Sequence, residues 1–247
     1  GRSVKLLMVV TRRELASYLI APLTYVFIMA FVALCGIITF YPGDFYERNQ
    51  ADLMPFFDAH PWVYLFLLSA LAMRLWAQER QSGSIELLMT LPVGDFARVA
   101  GKFLAAWLVA GFALTLTFPM VLTVNYLGAP DNAAILVGYL GSWLLAGGYL
   151  AIGSCMSALS KQQTTAFVLT LLVCLLFMGS GLALVRDALL PWAPVGWVDA
   201  IAGLSLLERY SAMSKGLIDA FDLLYFISLI VAWLCATAVV INLNKAR

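Results

Sequence analysis

The sequence predicts an all-α integral membrane protein with six crossings, and three observations carry that expectation. The 247-residue chain is 63% hydrophobic and 12% charged, with a mean hydropathy of +0.91. Soluble domains run at roughly 45–50% apolar and about 25% charged. Six apolar stretches each approach the ~20 residues that span a hydrocarbon core as a helix. Finally, the basic residues gather on alternate connections between those stretches, as they do on the cytoplasmic side of a membrane protein.

The expected crossings are Leu19–Tyr41, Pro61–Ala77, Phe103–Leu127, Ala134–Leu159, Ala166–Val185 and Asp222–Ile241. The second is the shortest and is expected to continue as helix beyond the membrane through Arg74, Glu79 and Arg80. An even number of crossings puts both termini on one side. Arg2, Lys5, Arg12, Arg13, Arg74, Arg80, Arg98, Lys102, Lys161, Lys245 and Arg247 fall on the same side as the termini, which assigns it to the cytoplasm. The opposite connections hold only Arg48, Arg186, Arg209 and Lys215, together with ten of the fourteen acids. The whole chain, 1–247, reads as one transmembrane domain with three distinctive segments: 1–18, 74–102 and 186–221.

Segment 1–18 places Leu6, Val9, Val10 and Leu15 against Lys5, Arg12 and Arg13. That pattern predicts an amphipathic helix on the cytoplasmic surface, turning at Pro22 into the first crossing. The LLMVV run after Lys5 is too short for a signal peptide. In the first external loop, Tyr41, Phe45, Tyr46 and Trp62 read as interfacial belt residues.

Pro119 lies inside the third crossing, where a missing backbone donor kinks a helix, so it is a candidate hinge. Asn125, near the outer end, is placed to bond a neighbouring helix. In the fourth crossing Gly138, Ser142 and Ala146 recur every four residues, with Gly147 and Ala151 beside them. Small residues at that spacing let backbones approach, which predicts a helix buried in the bundle or at a subunit contact. Segment 186–221 mixes Pro191, Trp192, Pro194 and Trp197 with apolar runs too short to span. It is expected to form two short helices dipping into the outer leaflet, or a small external cap.

Several chemistries are disfavoured. Cys35, Cys155, Cys174 and Cys235 all lie in apolar segments without paired spacing, which suits small core residues and neither a disulfide framework nor a metal site. The single histidine, His60, is expected at a membrane edge, and an intramembrane enzyme would have to use it as its base. Gly179-Ser180-Gly181 lacks an adjacent base and reads as close helix packing. A phosphate loop is missing: Gly94 to Lys102 has the wrong glycine spacing and no following Ser or Thr. No cofactor is therefore expected on this chain. A passive channel or scaffold would be a third class, but the crossings offer little polar pore lining.

Segment 74–102 holds a short apolar block, Ile85 to Leu91, closed by Pro92. Ser82 or Ser84 can cap a short helix with Glu86 in its first turn, and Asp95 can cap the next. A plain connection has no use for that apolar block. It reads as a surface gripped by another protein.

Glu79-Arg80-Gln81-Ser82-Gly83-Ser84-Ile85-Glu86-Leu87-Leu88-Met89-Thr90-Leu91-Pro92-Val93, followed by Gly101-Lys102, resembles the cytoplasmic loop of ABC-2 type transporter permeases. Arg13-Glu14-Leu15-Ala16-Ser17-Tyr18 with Pro22 and Tyr25-Val26 is similar to the N-terminus of that family. Phe56-Phe57, Pro61-Trp62 and Met73-Arg74-Leu75-Trp76 resemble its gliding-motility-type branch, related to the permease of nitrous oxide reductase maturation. The resemblance implies the ABC-2, type V exporter-like fold: six crossings per subunit, an N-terminal surface helix, a coupling helix after the second crossing and re-entrant helices before the sixth.

It further implies a bacterial cytoplasmic membrane and a cytoplasmic ABC ATPase dimer carrying ATP and Mg. A second, identical or similar permease subunit and a companion protein with an external domain are implied as well, with no nucleic acid. In that setting Leu87, Leu88 and Leu91 would supply contact area to the ATPase, while Glu79, Arg80 and Glu86 would orient it. The chain would be a non-catalytic subunit coupling ATP hydrolysis elsewhere to export or mechanical work.

Overall fold

A computed structural model describes residues 1–41, 46–90 and 94–245 of the chain. The described residues form helices and connections, with no strand among them. In order these are α1 (Arg2–Ile20), α2 (Pro22–Phe40), α3 (Met54–Ala72), α4 (Ala77–Ser82), α5 (Ile85–Thr90), α6 (Asp95–Thr115), α7 (Phe118–Leu127), α8 (Asn132–Leu159), α9 (Gln163–Gly179), α10 (Ala183–Leu189), α11 (Val195–Gly203), α12 (Leu206–Ser214) and α13 (Ala220–Lys245). Among the described residues, five helical spans are long and apolar enough to cross a membrane: α2, α3 with α4, α6 with α7, α8 and α13. A sixth is obtained if α9 and α10, bent by 78° at their junction, are counted together.

The first two helices meet at Ala21, whose extended backbone (φ −71°, ψ 127°) follows from the proline after it. The inward stripe of α1 is Leu6, Leu7, Val10, Thr11, Glu14, Leu15 and Tyr18, with Val9 turned out and 64% exposed. This stripe packs on α6, not on nothing but a membrane surface. Gly101 permits the contact: a Cβ there would lie 2.5 Å from a Val10 methyl.

α8 is the central helix and touches α3, α6, α9, α12 and α13. Gly138, Ser142 and Ala146 are all buried, as their spacing predicts. Small residues on its other sides matter as much, since a Cβ at Gly153 would stand 2.3 Å from the Ala72 Cβ of α3. A helix surrounded by so many neighbours needs small residues all round, not one stripe. Asp131 caps it, accepting from the Ala133 and Ala134 amides at 3.1 and 3.3 Å.

The second crossing departs from expectation at both ends. It begins at Met54 and carries Pro61 inside the helix. Proline cannot donate to the carbonyl four residues back, which frees the Phe57 carbonyl. Tyr210 of α12 takes that place, donating its hydroxyl to the Phe57 oxygen at 2.7 Å. At the other end the helix does not run straight on but breaks over 73–76. Ser157 of α8 repairs the break: its hydroxyl accepts from the Trp76 and Ala77 amides at 3.0 and 2.9 Å and donates to the Met73 carbonyl at 3.1 Å.

The third crossing breaks at Leu116–Thr117, directly before Pro119 in the first turn of α7. Tyr139 of α8 braces the interruption through Thr117 Oγ1 at 2.9 Å. Asn125 does reach a neighbouring helix, exchanging paired amide hydrogen bonds of 3.0 Å with Asn132. Asp95 is the first helical residue of α6 and Gly94 its N-cap, so Asp95 acts in the first turn instead of capping.

The fifth crossing is shorter than expected and turns at Gly179–Gly181. Gly181 is the close-packed member there, since a Cβ would meet Ser205 at 2.6 Å, whereas Gly179 has open space. Between 183 and 214 there are three short helices instead of two. α10 and α11 are tied by the Arg186–Asp199 ion pair and expose Trp192 and Trp197. α12 is docked in the bundle, burying Leu206, Tyr210 and Met213 against α8, α3 and α9.

Candidate functional site at the junction of α1, α4 and α6

Three helices that carry basic residues, α1, α4 and α6, converge at one end of the bundle. Lys102 of α6 sits at their centre, its side chain 3% exposed. Its ammonium donates to Glu79 Oε1 of α4 at 2.6 Å and to Glu14 Oε1 of α1 at 3.1 Å. It also stands 5.1 Å from the ring centre of Trp76, which is fully buried. Arg13 approaches Glu14 at 3.8 Å, so two carboxylates face two cations. Buried ion pairs add little net stability, but removing one partner leaves an uncompensated charge at about 3–5 kcal/mol. The cluster therefore fixes geometry: it holds α1, α4 and α6 in one relative position.

Neighbouring contacts stiffen the same place. Arg98, 4% exposed, bonds Asp95 at 3.0 Å in the first turn of α6. Tyr18 of α1 is buried beside Glu14, and burial, with that charge second, pushes its phenol well above the ordinary range. It stays neutral at any physiological pH. Arg80 reaches to 3.5 Å of the Ser160 carbonyl at the end of α8. Gly83 ends α4 in the left-handed conformation (φ 78°), and the chain then reverses into α5. That φ is one a side chain would strain.

The two halves of the expected coupling surface are therefore in different environments. Glu79 points inward to Lys102 and Arg80 is half-buried, whereas Glu86 is exposed and Leu87 is 71% exposed. Ile85 of α5 packs back on the core. The side chain of Leu88, and Leu91 with Pro92, lie outside the described residues. Pro119 stands at the α6–α7 break, on the far side of the bundle from this junction.

Sequence reasoning missed Glu14, Trp76, Lys102 and Ser157 as members of one constellation. One signal was present: Glu14 is the sole acid before Asp44 and sits among four basic residues on an amphipathic helix. Its placement on the inward stripe asks for a buried cation.

His60 is enclosed by the bundle with no exposed surface, and α3 starts six residues before it. Its Nδ1 lies 2.7 Å from Ser142 Oγ, which is also 2.7 Å from the Tyr64 hydroxyl. Phe31, Phe56 and Phe57 pack around the ring. A histidine and a serine do meet, then, inside an aromatic shell and not at a cleft. Ser180 is elsewhere, bonded to the Phe177 carbonyl of its own helix.

Span-length apolar helices, with charge confined to their ends, define a multi-pass helical membrane protein. The family model for ABC-2 family transporter proteins matches residues 46–241, and the chain belongs to that family. It is accordingly a permease component of an ABC transporter. The matched region takes in α3 to most of α13 and leaves α1 and α2 outside it. A search of curated proteins returned no match.

Proposed function

We propose that this permease couples ATP hydrolysis by a separate cytoplasmic ATPase dimer to export or mechanical work, with α5 as the contact and the α1–α4–α6 junction as the relay. ATP and Mg belong to the ATPase. The termini, α1, α4 and α5 lie in the cytoplasm, and the membrane is the bacterial cytoplasmic membrane. A second permease copy completes the transporter, and a companion with an external domain fits the gliding-motility-type branch to which we assign it.

The carrying observation is the link from Glu14 and Glu79 to the buried Lys102. α5 presents Glu86 and Leu87 outward, and α4 leads from it inward to the junction. A push on α5 then moves α4, and α4 cannot move without α1, α6 and, through Ser157, α8. Glu79 acts inside the permease in this scheme, while Glu86 and Leu87 of α5 face the ATPase.

The test uses the transporter purified from native membranes with its ATPase and reconstituted in vesicles. Glu86→Arg with Leu87→Asp is expected to abolish permease-dependent stimulation of ATP hydrolysis while the permease keeps its melting temperature. Unchanged stimulation in that double variant would remove α5 as the contact.

A further inference from the structure

Between the halves of α6 and α8 farthest from the basic junction lies a groove of about 650 Å³. Pockets of ~300–1,000 Å³ are the size of small-molecule sites. Leu108, Gly111 and Phe112 form one wall, and Leu136, Leu140 and Trp143 the other. Trp143 is backed by Trp107, the two indoles stacking with ring centres 4.1 Å apart. Each donates its N–H to the other's carbonyl, at 2.7 and 3.0 Å. Gly111 is needed beside this pair, since a Cβ there would lie 2.8 Å from Trp143 Nε1.

The polar groups of the lining are already satisfied within the protein. Thr115 donates to the Gly111 carbonyl at 2.8 Å, and the Tyr139 hydroxyl lies 2.9 Å from Thr117 Oγ1. A polar solute would enter without partners for its own donors and acceptors, which is costly. Water would fare no better, because an ordered molecule wants two or more polar partners. The groove is chemically suited to hydrocarbon.

Both walls belong to membrane spans, and Leu108, Phe112, Leu136 and Leu140 are 41–72% exposed. The groove thus opens sideways onto the face those spans present to the bilayer and is continuous with that interface. We propose that it is a binding site for one acyl chain of a bilayer phospholipid, held against Trp143. The site is independent of the coupling junction and of the reading placed on it.

The permease in phospholipid vesicles is doped with a phospholipid carrying a diazirine in one acyl chain, irradiated, and its labelled peptides are mapped by mass spectrometry. Label on 108–115 and 136–143 is expected to exceed, per residue, that on the exposed face of α9 around Leu172 and Leu176 about tenfold. That corresponds to about 1.4 kcal/mol of preference over bulk lipid. Leu140→Trp, which fills the groove from a partly exposed position, brings the excess down to the α9 level, while Leu172→Trp leaves it unchanged. Equal labelling of both faces overturns the proposal in favour of bulk lipid. Copy-to-copy disulfide crosslinking through Leu136→Cys, with the groove unlabelled, would give it to a second permease copy instead.

Discussion

Two regions of the bundle are held by different chemistry, with an ion pair, Arg209–Asp222, also tying α12 to α13 at the end opposite Lys102. At the basic end, charged side chains on α1, α4 and α6 converge on Lys102. Toward the other end, α3 is fastened to α8 and α12 by neutral groups: His60 and Tyr64 on Ser142, and Tyr210 on the Phe57 carbonyl. A charge at depth in hydrocarbon is expensive, while a neutral hydrogen bond there is modest and tolerated. Charge appears where a terminus meets water and where elements must keep a fixed relation. Neutral bonds appear where a proline or a helix break would otherwise strand a backbone group.

That contrast predicts a graded series of effects. The largest is Lys102→Met, which leaves Glu14 and Glu79 facing each other; a loss of about 3–5 kcal/mol is expected, read from denaturant unfolding in detergent. Adding Glu14→Gln and Glu79→Gln to that variant should recover most of the stability, because the uncompensated charge has gone. A failure to recover would show that Lys102 matters through packing on Trp76 instead.

Ser157→Ala comes next. It strands the Trp76 and Ala77 amides at the α3–α4 break, and each orphaned buried group costs about 1–3 kcal/mol. The same unfolding curve measures it, and a loss under about 0.5 kcal/mol would mean that another group takes over the break. Tyr210→Phe should be smaller, about 1–2 kcal/mol, because one carbonyl loses one donor. Its sharper readout is Pro61→Ala in the same background, which restores an amide donor for the Phe57 carbonyl and should make Tyr210→Phe nearly neutral.

Smallest of all is Leu87→Ser. At 71% exposure its stability effect should stay within about 0.5 kcal/mol, whereas stimulation of ATP hydrolysis falls. A large loss of stability would place Leu87 in the core instead.

Much of this arrangement was legible in the sequence. Hydropathy placed most of the spans, the chain turns before Pro22 as expected, the third crossing breaks close to Pro119, and Gly138, Ser142 and Ala146 lie buried. The losses have physical causes. The α3–α4 break has no glycine or proline to announce it, since the compensating serine sits on α8, some eighty residues away in sequence. Pro61 read as a start because proline favours the first turn of a helix, and only Tyr210, from a segment expected outside the bundle, makes it tolerable inside one. At the junction, Glu79 and Glu86 looked alike as acids near a coupling surface. Their fates were separated by the αL turn at Gly83, which reverses the chain between them.

The central claim is that the Lys102 cluster transmits what α5 receives. The most direct measurement is the ratio of work or transport to ATP hydrolysed in vesicles containing the Lys102→Met, Glu14→Gln, Glu79→Gln permease with its ATPase. This variant keeps α5 and its stability but lacks the ionic tie. The account predicts that the ATPase still binds and hydrolyses ATP while the ratio collapses. A ratio equal to that of the unaltered transporter would contradict it.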